Sequence, residues 1–261
     1  MNQKVSRKSW AQLVVVLLCA LMVKLFYSTA SPNELRWILA PTTATVELIT
    51  RIPFAFESHA GYISSDRTFL IAGSCAGVNF LMTAFLMLSL RKLWLRRHLG
   101  ISWGLIPAIA GIAYLATLVA NTVRISVALW LQRTDVEIGG LSSNQLHRLE
   151  GILVYFGFLL LLFAVNEGSF TGDSRALLRK FLFPLLIYYA TMLGIPLANA
   201  GFGWGIVSSG FSEHLAFVLV APLICLIVLW GLSWVVVALA PAEPDIYRNP
   251  GTSLNKTLRS L

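Results

Sequence analysis

Three side chains in this 261-residue sequence carry chemistry that none performs alone: the thiol of Cys75, the guanidinium of Arg124 and the imidazole of His147. Cysteine attacks as the thiolate, and an ordinary thiol with a pKa of about 8.5 yields more of it beside a fixed cation. Histidine moves protons near neutral pH, and arginine offers a planar fork of donors suited to a developing oxyanion. Together the three types describe acyl transfer. Singly, each has a plainer role: a cysteine in an apolar run packs as a small hydrophobe, an arginine near a membrane interface snorkels, and a histidine in a polar loop is solvated.

The elements that must position them are membrane helices. The chain is 57% hydrophobic and 12% charged, with a mean hydropathy of +0.74, more apolar surface than a soluble domain of this size can hide. Apolar runs of roughly 20 residues recur, the length a helix needs to cross a hydrocarbon core of ~30 Å with its backbone satisfied internally. Spans are expected at 10–27, 69–90, 101–131, 152–165, 181–197 and 215–240, making an all-α, polytopic bundle of about six transmembrane helices in one domain over 1–261. The first run, preceded by Lys4, Arg7 and Lys8, reads as an anchor rather than a cleaved leader because Lys24 interrupts it late and further spans follow. Segment 33–67 mixes apolar residues with Glu34, Arg36, Glu47, Arg51, Glu57 and Asp66; a proline precedes it at 32 and others fall within it at 41 and 53. An outer interfacial segment fits it better than a seventh span.

The net charge of +8 does not point to nucleic acid, because the basic residues lie in short clusters between apolar runs. Thirteen fall in one set of loops (Lys4, Arg7, Lys8; Arg91, Lys92, Arg96, Arg97; Arg175, Arg179, Lys180; and Arg248, Lys256, Arg259 in the tail 241–261), and five in the other (Arg36, Arg51, Arg67, Arg133, Arg148). The positive-inside rule places both termini in the cytoplasm. Cys19, Cys75 and Cys225 all sit in apolar stretches without a CxxC spacing, so neither a disulfide framework, a metal nor another cofactor is expected.

With that topology, Cys75 lies about 9 Å and Arg124 about 10 Å from the outer ends of their helices, and His147 stands on the same side at the head of the next span. Candidate supports flank them. Asn79 follows Cys75 by four and Asn121 precedes Arg124 by three, so on continuous helices each shares its partner's face and either serves the site or joins helices. Glu150, three residues after His147, either orients the imidazole or is an interfacial helix-start carboxylate. Gly73 and Gly77, at small-xxx-small spacing, admit a close neighbour, whether helix or substrate.

Cys75-Ala76-Gly77-Val78, then Asn121-Thr122-Val123-Arg124-Ile125, then His147, in this order, resemble the exosortase/archaeosortase family of membrane cysteine transpeptidases. The compact chain and the stretch Ile71 to Leu81 look most like the exosortase K branch. The resemblance implies that Cys75 is the nucleophile, Arg124 the electrostatic stabiliser and His147 the acid/base. The implied substrates are secreted proteins with a PEP-CTERM-like C-terminal sorting signal (a motif, a transmembrane helix and a basic tail), the product passing to a cell-surface acceptor outside a bacterial cytoplasmic membrane. Fewer N-terminal spans than in many relatives, and no appended soluble domain, leave the choice of sorting motif open.

Two other classes compete. An intramembrane arginine and glycine-broken helices also mark transport routes, although no internal repeat is visible. A non-catalytic subunit of an envelope or polysaccharide system would use Cys75 only for packing. Glu213 and His214 stand at the outer start of the last span as groove residues or interfacial anchors, and Glu57 and His59 are weaker candidates. Trp94, Trp103, Trp130 and Trp204 fit interfacial aromatics better than a ligand cage.

Overall fold

A computed structural model describes residues 5–134, 142–167, 174–194 and 209–239. Among the described residues, seven α-helices follow in chain order: α1 (Arg7–Thr29), α2 (Arg36–Thr50), α3 (Val78–Leu95), α4 (Leu105–Thr134), α5 (Ser143–Glu167), α6 (Ser174–Met192) and α7 (Ser209–Leu239). Among the described residues, four segments are long and apolar enough to cross a membrane: α1, Gly73–Leu95, α4 and Gln145–Glu167. Two shorter apolar stretches, Lys180–Met192 and Leu215–Gly231, lie in α6 and α7. The protein is an all-α polytopic membrane bundle; Trp204 and the expected tail 241–261 lie outside the described residues.

α1 shows why such a sequence belongs in lipid. Ser6 caps it by accepting from the Ser9 N–H, and 23 residues give about 34 Å of helix. Its buried stripe is Ser9, Gln12, Val16 and Ala20, while Trp10, Val14, Leu18, Leu21 and Met22 face outward. The polar groups are turned inward, where they find partners: Gln12 Nε2 donates to the Ile101 carbonyl at 2.7 Å and its Oε1 accepts from the Ile101 N–H at 3.0 Å. α3 forms the centre of the bundle, packed against α1, α4, α5 and α6. Phe80, Met87, Phe156, Leu159 and Phe163 lie in the larger apolar core.

α2 is 15 residues long, about 22 Å, too short for a hydrocarbon core of ~30 Å. Its inner face, Ile38, Leu39, Thr42, Thr43 and Val46, is buried, and Leu48 and Ile49 are exposed. It rests on α4 through Thr45 Oγ1 and Thr122 Oγ1, 2.6 Å apart. The chain after α2 forms strands that sequence reading did not anticipate. β1 (Phe54–Glu57), β2 (Gly61–Ser64) and β3 (Leu70–Ile71) form an antiparallel sheet in that order, with Phe54 opposite Ser64 and Tyr62 opposite Ile71. Gly61 has φ +124°, and a Cβ there would collide with the Ile71 carbonyl, so the sheet closes only around glycine.

The expected span 69–90 is corrected at its start. Leu70–Ile71 is strand, Gly73–Cys75 is one 3-10 turn, and the α-helix begins at Val78. Gly77 caps it at φ 72°, a left-handed conformation that breaks the helix between Cys75 and Val78.

Candidate active site

The break places Cys75 beyond the N-terminal mouth of α3 rather than within the helix. Helix N-termini present unpaired N–H groups and a partial positive charge, a setting that favours negative charge on a ligand or intermediate. Cys75 is half-buried and packs at the edge of the smaller core under α2. Tyr27 at the end of α1 donates to the Gly73 carbonyl at 3.4 Å, holding the same turn.

The face shared by Thr117, Asn121 and Arg124 on α4 meets this turn and α5. Asn121 is fully buried, and its Nδ2 donates to the Cys75 carbonyl at 2.6 Å. Gly77 makes the approach possible: a Cβ there would lie 3.2 Å from Asn121 Cγ, Thr117 Cγ2 and the Tyr155 hydroxyl. The small-residue pair thus serves packing, with Gly77 against α4 and α5 and Gly73 against Leu35. Asn79 does not share the face of Cys75 as a continuous helix would require: the turn at Gly77 rotates the chain, and Asn79 is exposed.

Arg124 lies within Coulombic reach of Cys75, Tyr155 and Glu150. Its Nη1 donates to the Tyr155 hydroxyl and its Nη2 to His147 Nε2, both at 3.3 Å, and the guanidinium stands 5.3 Å from the Tyr155 ring centroid. Gly151 makes room for it, since a Cβ there would lie 3.0 Å from Arg124 Nε. Arginine has no acceptor, so His147 Nε2 must accept, which puts the imidazole proton on Nδ1. That atom faces Glu150 Oε2 at 3.9 Å, beyond a hydrogen bond but in ion-pair range. Glu150 is 6% exposed, and among the described residues neither its oxygens nor Arg124 Nε has a hydrogen-bond partner. The arrangement offers a thiol, a cation with a free donor, and a histidine whose tautomer is set by Arg124.

Cys75, Arg124, His147, Asn121 and Glu150 therefore converge, and Asn79 does not. Tyr155 and Gly151 were missed in the sequence. Their signal was the spacing His147, Glu150–Gly151, Tyr155, which puts all four on one stripe of α5. Glu57 instead joins a surface cluster in the sheet: Arg67 Nη2 donates to its Oε1 at 2.7 Å, and His59 Nε2 lies 3.5 Å from its Oε2. Trp94, Trp103 and Trp130 are exposed, as interfacial aromatics would be. The side chains of Glu213 and His214 lie outside the described residues. Among the described residues, no group of three His, Cys, Asp or Glu side chains is placed to hold a metal ion.

No family model matches the chain, and neither a curated protein nor a solved structure is significantly similar to it.

Proposed function

We propose that the protein is an exosortase-type cysteine transpeptidase. It cleaves the C-terminal sorting signal of secreted proteins and transfers the new carboxyl end to a surface acceptor. The observation that carries this reading is the juncture of the Cys75 turn with an arginine that has no carboxylate partner among the described residues and an outward histidine bound to it. The Cys75 thiolate attacks a peptide carbonyl, and Arg124 supports the oxyanion as the tetrahedral intermediate forms. Collapse breaks the C–N bond, and the departing amine takes the proton that His147 received from the Cys75 thiol as the thiolate formed. The thioester left on Cys75 is attacked by the acceptor nucleophile, whose proton passes to His147, and the thiolate is released. The site faces the extracytoplasmic side of a bacterial cytoplasmic membrane, with both termini inside.

The experiment is to incubate membranes containing the enzyme with a sorting-signal peptide, quench, and search by mass spectrometry for a thioester on the Cys75 peptide. Trapped adduct and cleavage, both lost in Cys75→Ala, support the reading. Cleavage that survives in Cys75→Ala ends it. Orientation is tested separately: an impermeant thiol reagent applied to intact cells should label Ser65→Cys and spare Ser102→Cys, and the reverse pattern would put the site in the cytoplasm.

A further inference from the structure

Tyr155 lies two turns along α5 from His147, and its hydroxyl touches both halves of the site. It accepts from Arg124 Nη1 at 3.3 Å and donates to Asn121 Oδ1 at 2.7 Å, and Asn121 Nδ2 in turn donates to the Cys75 carbonyl at 2.6 Å. The direction of this chain is forced. Guanidinium only donates, so the phenolic oxygen must accept from it and spend its single proton on Asn121; with its oxygen engaged there, the asparagine turns its amide N–H toward Cys75. The ring has little freedom: Phe80, 2% exposed, stacks on it at 5.2 Å between centroids and 29° between planes. The hydroxyl is backed by Gly77, where a Cβ would approach it to 3.2 Å.

We infer that Tyr155 is a positioning residue that ties the arginine of α4 to the turn carrying the thiol, so that nucleophile and oxyanion donor keep one register. The inference rests on the transpeptidase reading for its purpose, and on the three hydrogen bonds for its geometry. Tyr155→Phe preserves the ring, its stacking and its place over the guanidinium, and removes only the link.

Two measurements on the detergent-solubilised full chain test it. Iodoacetamide alkylation, followed peptide by peptide by mass spectrometry, reads Cys75 without any substrate, with Cys19 as internal control. In Tyr155→Phe the Cys75 rate should fall about tenfold, the scale of one charge-assisted hydrogen bond, with Cys19 unchanged. With a sorting-signal peptide, kcat should fall by a similar factor while KM stays within about twofold, since the link acts on the reacting geometry and not on substrate binding. If Tyr155→Phe does not accumulate, Asn121→Leu breaks the same chain at its next link and should reproduce both losses. Cys75 alkylation within about twofold of wild type in either folded variant would reduce Tyr155 to a packing residue. A wild-type protein that cleaves no sorting-signal peptide, while Tyr155→Phe still slows alkylation, would end the transpeptidase reading and leave the positioning role standing. Wild-type cleavage with an unimpaired Tyr155→Phe would do the opposite.

Discussion

Two arginines are held at interfaces with α5, and they are held differently. At one end of the bundle Arg91 of α3 meets Glu167 with both arms, Nε to Oε1 at 3.1 Å and Nη2 to Oε2 at 2.7 Å, with its guanidinium 5.9 Å from the Phe163 ring centroid. At the other end Arg124 of α4 stands over Tyr155, donates to Tyr155 and His147, keeps its Nε free of partners among the described residues, and has Glu150 near but unbonded. The first cation is matched in charge and geometry, which suits a structural clamp. The second is held by neutral groups with donor capacity left over, an arrangement that wastes stability unless a negative charge is to arrive. Buried polar atoms without partners cost free energy, so their concentration at Arg124 and Glu150 marks the place where the fold was not optimised for itself.

The largest effects should separate these two sites. Under the proposed reading, Arg124→Lys keeps the charge but loses the fork, and processing of a sorting-signal peptide should fall about 100-fold with normal accumulation of the protein. Arg91→Lys should leave processing near wild type. Equal activity losses in the two variants would erase the distinction drawn here.

Stability should respond in the opposite order. Glu167→Ala leaves the partly buried Arg91 without its bidentate partner, and about 1–3 kcal/mol should be lost in thermal or denaturant unfolding of the solubilised protein. The double variant Arg91→Met/Glu167→Leu should recover most of that loss, because removing both partners leaves no orphaned charge. A double variant as unstable as the single would mean that the pair contributes through something other than mutual satisfaction.

Glu150→Gln probes the unbonded carboxylate. With no hydrogen bond to lose, unfolding should be unchanged or slightly harder. Processing should fall about threefold to tenfold if the carboxylate holds the Nδ1–H tautomer of His147. Wild-type processing in this variant would make Glu150 a helix-start carboxylate only.

The smallest effect belongs to a carboxylate in the turn between β2 and β3, outside the candidate spanning helices, whose Oδ1 accepts three hydrogen bonds. Asp66 is held down to about 2 by the Ser64 hydroxyl first, then by the N–H and hydroxyl of Thr68. A depressed folded pKa stabilises the turn above the ordinary value of 3.8 and loses that contribution as pH falls through about 2. Asp66→Asn should therefore exchange the Thr68 amide faster than wild type at pH near 5, while processing at neutral pH is unaffected. The difference from wild type should vanish below about 2, and its persistence there would show that the turn does not depend on the carboxylate.

Much of this was legible in the sequence. The long apolar runs alone determined that the chain is a helical membrane bundle, because in hydrocarbon the backbone must satisfy its own hydrogen bonds and the helix does so locally. Cys75, Arg124 and His147 were visible as types, and their depths along expected helices brought them to one face. What the linear pattern could not decide was the local backbone between β3 and α3. The apolar run 69–90 reads as one helix, yet Gly77 takes a left-handed turn because α4 and α5 press Thr117, Asn121 and Tyr155 against a position with no Cβ. That contact is tertiary, and it moves Cys75 off the helix and Asn79 off the site. Tyr155 showed only its spacing from His147, since an aromatic in a membrane helix is packing until α4 places an acceptor on one side of its hydroxyl and a donor on the other. Residue type and spacing set which chemistry was available; only the packing of α3, α4 and α5 decided which groups meet, because hydrogen bonds form over about 3 Å while spacing along separate helices fixes no distance between them.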